Sequence, residues 1–257
     1  MAEVIPLRGV GVALVTLFTD GLEVDVDATA THAERLVEAG VAGLVVAGST
    51  GEALALSPEE RLSLLSAVRE RLGAGVPLLL GAGAAWSRPA AQLAARARDA
   101  GGDGALVLSP PRGAGLHGYY QRVADAAAGL PVLAYHFPAM SPPGIPVEDV
   151  ATLPVAGLKD SSGDPERLLR ERAALPGALY VGSSALLVQA GAIGCEGAIL
   201  AAANAAPEGC LAAFAGDGDA QRDLLDTHLR GKASFPTGLK ALMAERYGTS
   251  TAHRMGT

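Results

Sequence analysis

The chain has 257 residues, of which 49% are hydrophobic and 18% charged, with a net charge of -7. That length suits one large domain, and an acidic balance without a basic cluster excludes a nucleic-acid binder. Two cysteines, Cys195 and Cys210, are too few for a disulfide framework or a zinc site, and their small apolar neighbours suggest core packing. No apolar run is long enough to span a bilayer. Residues 1–10 have no charged segment leading into an apolar run, so a cytoplasmic protein without an export signal is predicted.

Along the chain, short apolar runs alternate with Ala/Leu/Arg/Glu segments of helical spacing. The predicted strands are 11–16, 43–47, 78–81, 105–108, 132–135, 156–159, 179–181 and 197–200. Continuous rather than alternating apolar runs are the mark of strands buried on both faces. Predicted helices between them include 28–39, 58–72, 89–100 and 116–128. Ser57-Pro58-Glu59-Glu60 carries an N-cap, a proline at the first helical position and an acid at the third. Asp164-Pro165-Glu166 and Ala206-Pro207-Glu208 read as related helix starts. The close Glu/Arg spacing of Glu59-Glu60-Arg61 and Arg69-Glu70-Arg71 reads as a solvated face.

Eight strands alternating with helices predict an α/β fold, a (β/α)8 TIM barrel with additional C-terminal helices. The barrel is assigned to residues 1–205. A helical extension over 206–257 packs on it as part of one structural unit, with helices in 209–229 and 236–247 joined by a Gly/Lys/Ser/Pro stretch at 231–236. A doubly wound open sheet is disfavoured, because no Gly-rich dinucleotide fingerprint follows the first strand.

Barrel chemistry sits at the C-terminal ends of the strands. The run Val155-Ala156-Gly157-Leu158-Lys159-Asp160 delivers a lysine there. Burial disfavours the charged amine, and a neutral amine can attack a carbonyl to give a Schiff base; alternatively Lys159 snorkels at a strand end and does no chemistry. After the second strand, Gly48-Ser49-Thr50-Gly51-Glu52 is either an anion-holding turn or an ordinary one. After the fifth, Tyr135 could shuttle protons near a lysine or simply pack, while His136 points the other way and reads as structural. Gly182-Ser183-Ser184 allows close backbone approach to a ligand. Arg112 could bind an acidic acceptor if it turns into the site, or lie on a surface loop. Asp160 should face away from Lys159.

Taken in order, Gly48-Ser49-Thr50-Gly51-Glu52, Tyr135-His136-Phe137-Pro138 and Gly157-Leu158-Lys159-Asp160-Ser161-Ser162 resemble the dihydrodipicolinate synthase / N-acetylneuraminate lyase family of class I, pyruvate-dependent aldolases. The resemblance covers nearly the whole chain. It implies that Lys159 forms a Schiff base with a 2-oxo acid, typically pyruvate. It implies Tyr135 as proton shuttle, Ser49 and Thr50 as ligands of the pyruvate carboxylate, and Thr50 in a relay to Tyr135. Substrate contacts are assigned to Gly48, Ser49, Thr50, Gly51, Gly182, Ser183 and Arg112. No cofactor or metal is implied. The partners implied are a 2-oxo acid and an aldehyde, in a homo-oligomer, a dimer or tetramer.

Several positions depart from the family pattern. Ser109-Pro110-Pro111-Arg112-Gly113 lacks the tyrosine that usually follows the fourth strand. Met140 stands where the synthase branch has an arginine. Ser184-Ala185 and Leu200-Ala201 replace polar pairs of the sialic acid lyase branch. The chain is short around 215–231. These departures favour a 2-keto-3-deoxy sugar acid or a related hydroxy-oxo acid over dihydrodipicolinate synthase or N-acetylneuraminate lyase proper. A barrel that binds a 2-oxo acid without turning it over is the rival of another class, and a phosphate-binding barrel isomerase a further one.

Overall fold

The computed structural model describes residues 4–112 and 115–256, so Gly113 of the loop after the fourth strand lies outside the described residues. In chain order the elements are β1 (Gly9–Ala13), α1 (Val26–Glu38), β2 (Gly43–Val46), α2 (Pro58–Leu72), β3 (Leu78–Gly81), α3 (Ser87–Ala97), β4 (Gly104–Leu108) and α4 (Leu116–Ala127). There follow β5 (Val132–His136), α5 (Val147–Val150), β6 (Gly157–Asp160), α6 (Pro165–Ala174), β7 (Ala178–Val181), α7 (Leu187–Ala192) and β8 (Gly197–Leu200). Four helices close the chain: α8 (Pro207–Phe214), α9 (Gly218–Asp223), α10 (Leu225–Ala233) and α11 (Thr237–Tyr247). The strands form a closed parallel barrel in sequence order, β8 pairing with β1, as the alternating pattern predicts.

Side chains alternate between the two faces of each strand. Val45, Leu79, Leu106, Leu133 and Ile199 fill the barrel interior, where Ile5 and Leu7 of the N-terminal segment join them. Their strand neighbours, such as Leu44, Val46, Ala105, Val107, Val132 and Ala134, face the helices. Both faces are therefore apolar, which explains the unbroken apolar runs in the sequence. The same alternation turns Tyr135 and Lys159 inward and Asp160 outward, and register places Tyr135 beside Lys159.

The first strand starts earlier and ends sooner than the predicted 11–16. Past Ala13 the chain leaves the ladder, and the Val15 N–H donates to Asn204 Oδ1 at 3.1 Å instead of to a strand. The α2 start is as read: Ser57 and Glu60 bond reciprocally as a capping box. Asp164 caps α6, its carboxylate accepting from the Glu166 and Arg167 N–H groups, whereas Ala206 caps α8 without a side-chain bond. The Glu/Arg face of α2 is not wholly solvated. Arg61 is buried and its guanidinium donates to the carbonyls of Ala53, Gly81 and Gly83, tying α2 to the turns after β2 and β3. The 231–236 stretch is not a linker either. Helix α10 runs through Gly231 and Lys232, since one glycine costs a helix only about 1 kcal/mol, and the turn comes at Ser234–Pro236.

Among the described residues no helix is long and apolar enough to cross a membrane.

Candidate active site

A cavity of about 150 Å³ opens at the C-terminal ends of the strands. Lys159, the third residue of β6, reaches it from below and is 3% exposed. Its Nζ has no hydrogen bond or ion pair among the described residues and stands 4.2 Å from the Tyr135 ring centroid. Burial without a countercharge pushes its pKa down from 10.5 to about 7. A sizeable fraction of the amine is therefore neutral near pH 7, the form that attacks a carbonyl.

Tyr135 forms the adjoining wall, its ring stacked on Phe137 at 5.8 Å between centroids. Burial raises the phenol to about 12, while the Ser161 and Ser49 hydroxyls beside it favour the ionised form. The phenol thus rests as a proton donor with two hydroxyls at hand to relay what it gives or takes. Gly182 leaves Ser161 its room: a Cβ there would fall 1.8 Å from Ser161 Oγ and 3.0 Å from the Asp160 carbonyl.

The turn after β2 supplies the other side. Ser49 and Thr50 line the cavity, and their backbone N–H groups meet no acceptor among the described residues. The turn is closed beneath by Thr16 Oγ1, which donates to the Gly51 carbonyl at 2.7 Å, and by the Ala53 N–H to the Gly48 carbonyl at 3.1 Å. Free N–H groups and hydroxyls converging on one end of a cavity are a fit for a carboxylate.

The structure thus gathers Lys159, Tyr135, Ser49, Thr50, Gly182 and Ser183 around one cavity. It separates others. Gly48 borders a smaller, apolar cavity of about 30 Å³ on the far side of Tyr135, together with Met140. Gly51 lies under the turn, its carbonyl taken by Thr16. Arg112 does not turn into the cavity: its φ is 71°, its N–H donates to the Pro142 carbonyl at 2.8 Å, and its side chain is exposed. Of the two hydroxyls after β2, Ser49 rather than Thr50 stands beside the phenol. Asp160 faces away, accepting from Ser162 N–H and Oγ at 2.9 and 2.8 Å. His136 lies on that outer side too; burial and then Arg167 lower its pKa to about 4, and its Nδ1 accepts the Ile145 N–H at 2.8 Å.

Sequence reasoning missed the cavity's lid. Thr227, His228, Gly231 and Lys232 of α10 line it from above. Nothing in the linear pattern marks them, because they reach the mouth only through the fold of the trailing helices. Ser161 was readable only as a turn residue, although it follows the lysine by two positions.

Comparison with known proteins agrees with this geometry. Residues 6–224 match the dihydrodipicolinate synthetase family. An uncharacterised DapA-like lyase of Halobacterium salinarum is 36% identical over 211 residues, 79% of this chain and 69% of its own length. A 4-hydroxy-tetrahydrodipicolinate synthase of Natronomonas pharaonis is 35% identical over 231 residues, 84% of this chain and 78% of its own. Among solved structures, YagE, a prophage protein of the dihydrodipicolinic acid synthase family from E. coli K12 in complex with pyruvate, superposes with a TM-score of 0.90 at 26% identity, over 97% of this chain and 92% of its own. The chain belongs to the dihydrodipicolinate synthetase family, and with it to the class I lyases that work through a pyruvate Schiff base.

Proposed function

We propose that Lys159 is the nucleophile of a carbon–carbon lyase that joins pyruvate to an aldehyde or reverses that bond. One observation carries the assignment: among the described residues Lys159 is the buried amine without a hydrogen-bond or ion-pair partner, held low in pKa at the floor of the cavity. The neutral amine adds to C2 of pyruvate, whose carboxylate takes the N–H groups and hydroxyls of Ser49 and Thr50. Tyr135 gives its proton to the departing carbinolamine oxygen, and water leaves as the iminium forms. The iminium withdraws electrons, so the Tyr135 phenolate takes a methyl proton and the enamine forms. Its carbon attacks the aldehyde carbon, and the new alkoxide takes a proton through Tyr135, with Ser49 and Ser161 as relay. Water then hydrolyses the iminium and frees Lys159. Cleavage runs through the same steps in reverse, with Tyr135 accepting the substrate's hydroxyl proton.

Hydroxyls line the β2, β6 and β7 sides of the cavity, and its β8 side is apolar. Ala201 and Ile199 stand on the β8 side, which supports a short hydroxy-oxo acid over a long polyhydroxylated one. Exposed Leu54 and Trp86, on the loops after β2 and β3, support assembly into a homo-oligomer, and sedimentation of the purified chain tests it.

Intact-protein mass after incubation with pyruvate and borohydride tests the central claim. A reduced pyruvyl adduct is expected on the wild type and not on Lys159→Ala. An adduct without exchange of the pyruvate methyl protons would mark a binding barrel instead, and no adduct on the wild type would sink the assignment.

A further inference from the structure

The Schiff-base chemistry uses only part of the cavity lining. Pyruvate's carboxylate and carbonyl are met by the turn after β2 and by Lys159. Another part of the lining comes from α10, where Lys232 and His228 are the titratable side chains, and among the described residues the lining includes no aspartate or glutamate. His228 is anchored by Ser184: Nδ1 and Oγ are 2.9 Å apart, and Ser184's carbonyl accepts from Gln221 Nε2 at 2.7 Å. The other ring nitrogen, Nε2, has no partner among the described residues. Burial and the charge of Lys232 both lower the His228 pKa, which places the two side chains close to one another.

Lys232 also differs from its neighbour on the same helix. Arg230 pairs with Glu245 and Asp226, a surface network of ordinary kind. Lys232 makes no ion pair among the described residues, though the chain as a whole is acidic. Next to it Gly231 leaves the cavity roof open, for a Cβ built there meets no atom within 4 Å. Lys232, His228 and Thr227 therefore border a cavity that Phe235, Leu239 and Ala201 also line.

We propose that Lys232, with His228 and Thr227, forms the acceptor subsite and selects a short aldehyde bearing an anionic group, a carboxylate or a phosphate. This rests on the pyruvate-lyase reading of Lys159. The pyruvate end is already satisfied by the β2 turn, so a second anion in the cavity would find its countercharge only at α10. Lys232 is a specificity-determining residue: it touches the distal end of the acceptor and no reacting atom. It supplies the cation that Arg112, held outside by its turn, does not.

The test uses the pyruvyl enzyme trapped by borohydride, so that Lys159 is already occupied. Calorimetric titration with glycerate, glycerol 3-phosphate and glycerol probes the subsite with a carboxylate, a phosphate and a neutral analogue, for wild type, Lys232→Gln and Lys232→Glu. The anions are expected to bind the wild type at least about tenfold tighter than glycerol, and Lys232→Gln to remove about ten- to a hundredfold of that, as loss of a charge-assisted bond does. Lys232→Glu should lose more. Which of glycerate and glycerol 3-phosphate binds tighter identifies the anion. Equal binding of glycerol and anions, or an anion preference that survives Lys232→Gln, overturns the subsite. Lys232 is exposed, so its variants should fold, and their pyruvyl adduct in undiminished yield shows it. Absence of adduct on the wild type is a different failure, that of the Schiff-base reading itself.

Discussion

Two buried lysines stand near the same end of the barrel, and their surroundings divide them. Lys240, on α11, is 0% exposed and fully engaged: its Nζ donates to Glu52 Oε1 and to the Ala252 carbonyl, both at 2.6 Å, above the Phe18 ring. Lys159 is as deeply buried but has only the Tyr135 ring face for company. Burial lowers the pKa of both. For Lys240 the Glu52 carboxylate opposes that shift, and for Lys159 nothing does. A lysine with a countercharge is held as an ammonium and serves as a strut, while one without is a neutral amine in waiting. Glu52 is the link between the two sites. It sits one residue beyond the Ser49–Gly51 turn, in the left-handed region at φ 57°, and its Oε2 accepts the N–H groups of Arg254 and Met255 at 2.8 Å. The pair therefore ties the Ser49–Gly51 turn to α11 and to the C-terminal segment.

The largest expected effect is on the strut. Lys240→Met leaves the buried Glu52 carboxylate without its cation, and about 3–5 kcal/mol of stability should be lost. Urea denaturation measures this. Lys240→Met combined with Glu52→Gln should recover part of the loss, because no lone charge remains. If Lys240→Met were as stable as wild type, the contrast between the two lysines would be false. The folded variant should still form the pyruvyl adduct, since Lys159 is untouched.

Tyr135→Phe comes next. It keeps the ring beneath the Lys159 ammonium and the stack on Phe137 but removes the phenol. Exchange of the pyruvate methyl protons should slow about a hundredfold or more, with the adduct still trapped at long times. Exchange at the wild-type rate would move the proton transfer to another group, with Ser49 and Ser161 the first to replace.

Much of this was legible in the sequence, for reasons that differ by residue. The barrel declared itself because parallel strands buried on both faces must be continuously apolar, and the short runs around Val45, Leu79 and Leu133 are. Lys159 stood out because a lysine closing such a run has no cheap reason to be there. Lys240 gave no such sign: its helical spacing is ordinary, and its partner Glu52 lies 188 residues away. Arg61 failed as a solvated residue on the same ground, since helical charge spacing does not reveal which carbonyls a neighbouring turn leaves open. Arg112 was weighed as an anion ligand by its position after β4, but backbone geometry turns it outward. The α10 lid was hidden by Gly231, which reads as a break in sequence and is a helical residue in the structure. Local pattern reports burial and period, and it is silent on pairings made across the fold.

The smallest effect sharpens the comparison most, because it separates chemistry from stability at Lys159 itself. An amine whose pKa falls from 10.5 unfolded to about 7 folded is a burden on the folded state. Between these values the unfolded chain binds more protons than the folded one, so stability rises with pH across that window. Below pH 7 both states are protonated and the burden is complete; above about 10.5 both are neutral and it is gone. Lys159→Met replaces the amine with an apolar side chain of similar length. It should therefore be inactive yet more stable than wild type by about 2 kcal/mol at pH 6, a trade of stability for function. The gap measured by urea denaturation should shrink steadily from pH 7 to pH 10. A Lys240→Met variant should show no stabilisation at any of these pH values, because its ammonium already has Glu52. A Lys159→Met variant less stable than wild type at pH 6 would mean that the Lys159 ammonium is satisfied after all, and the distinction between the two lysines would collapse.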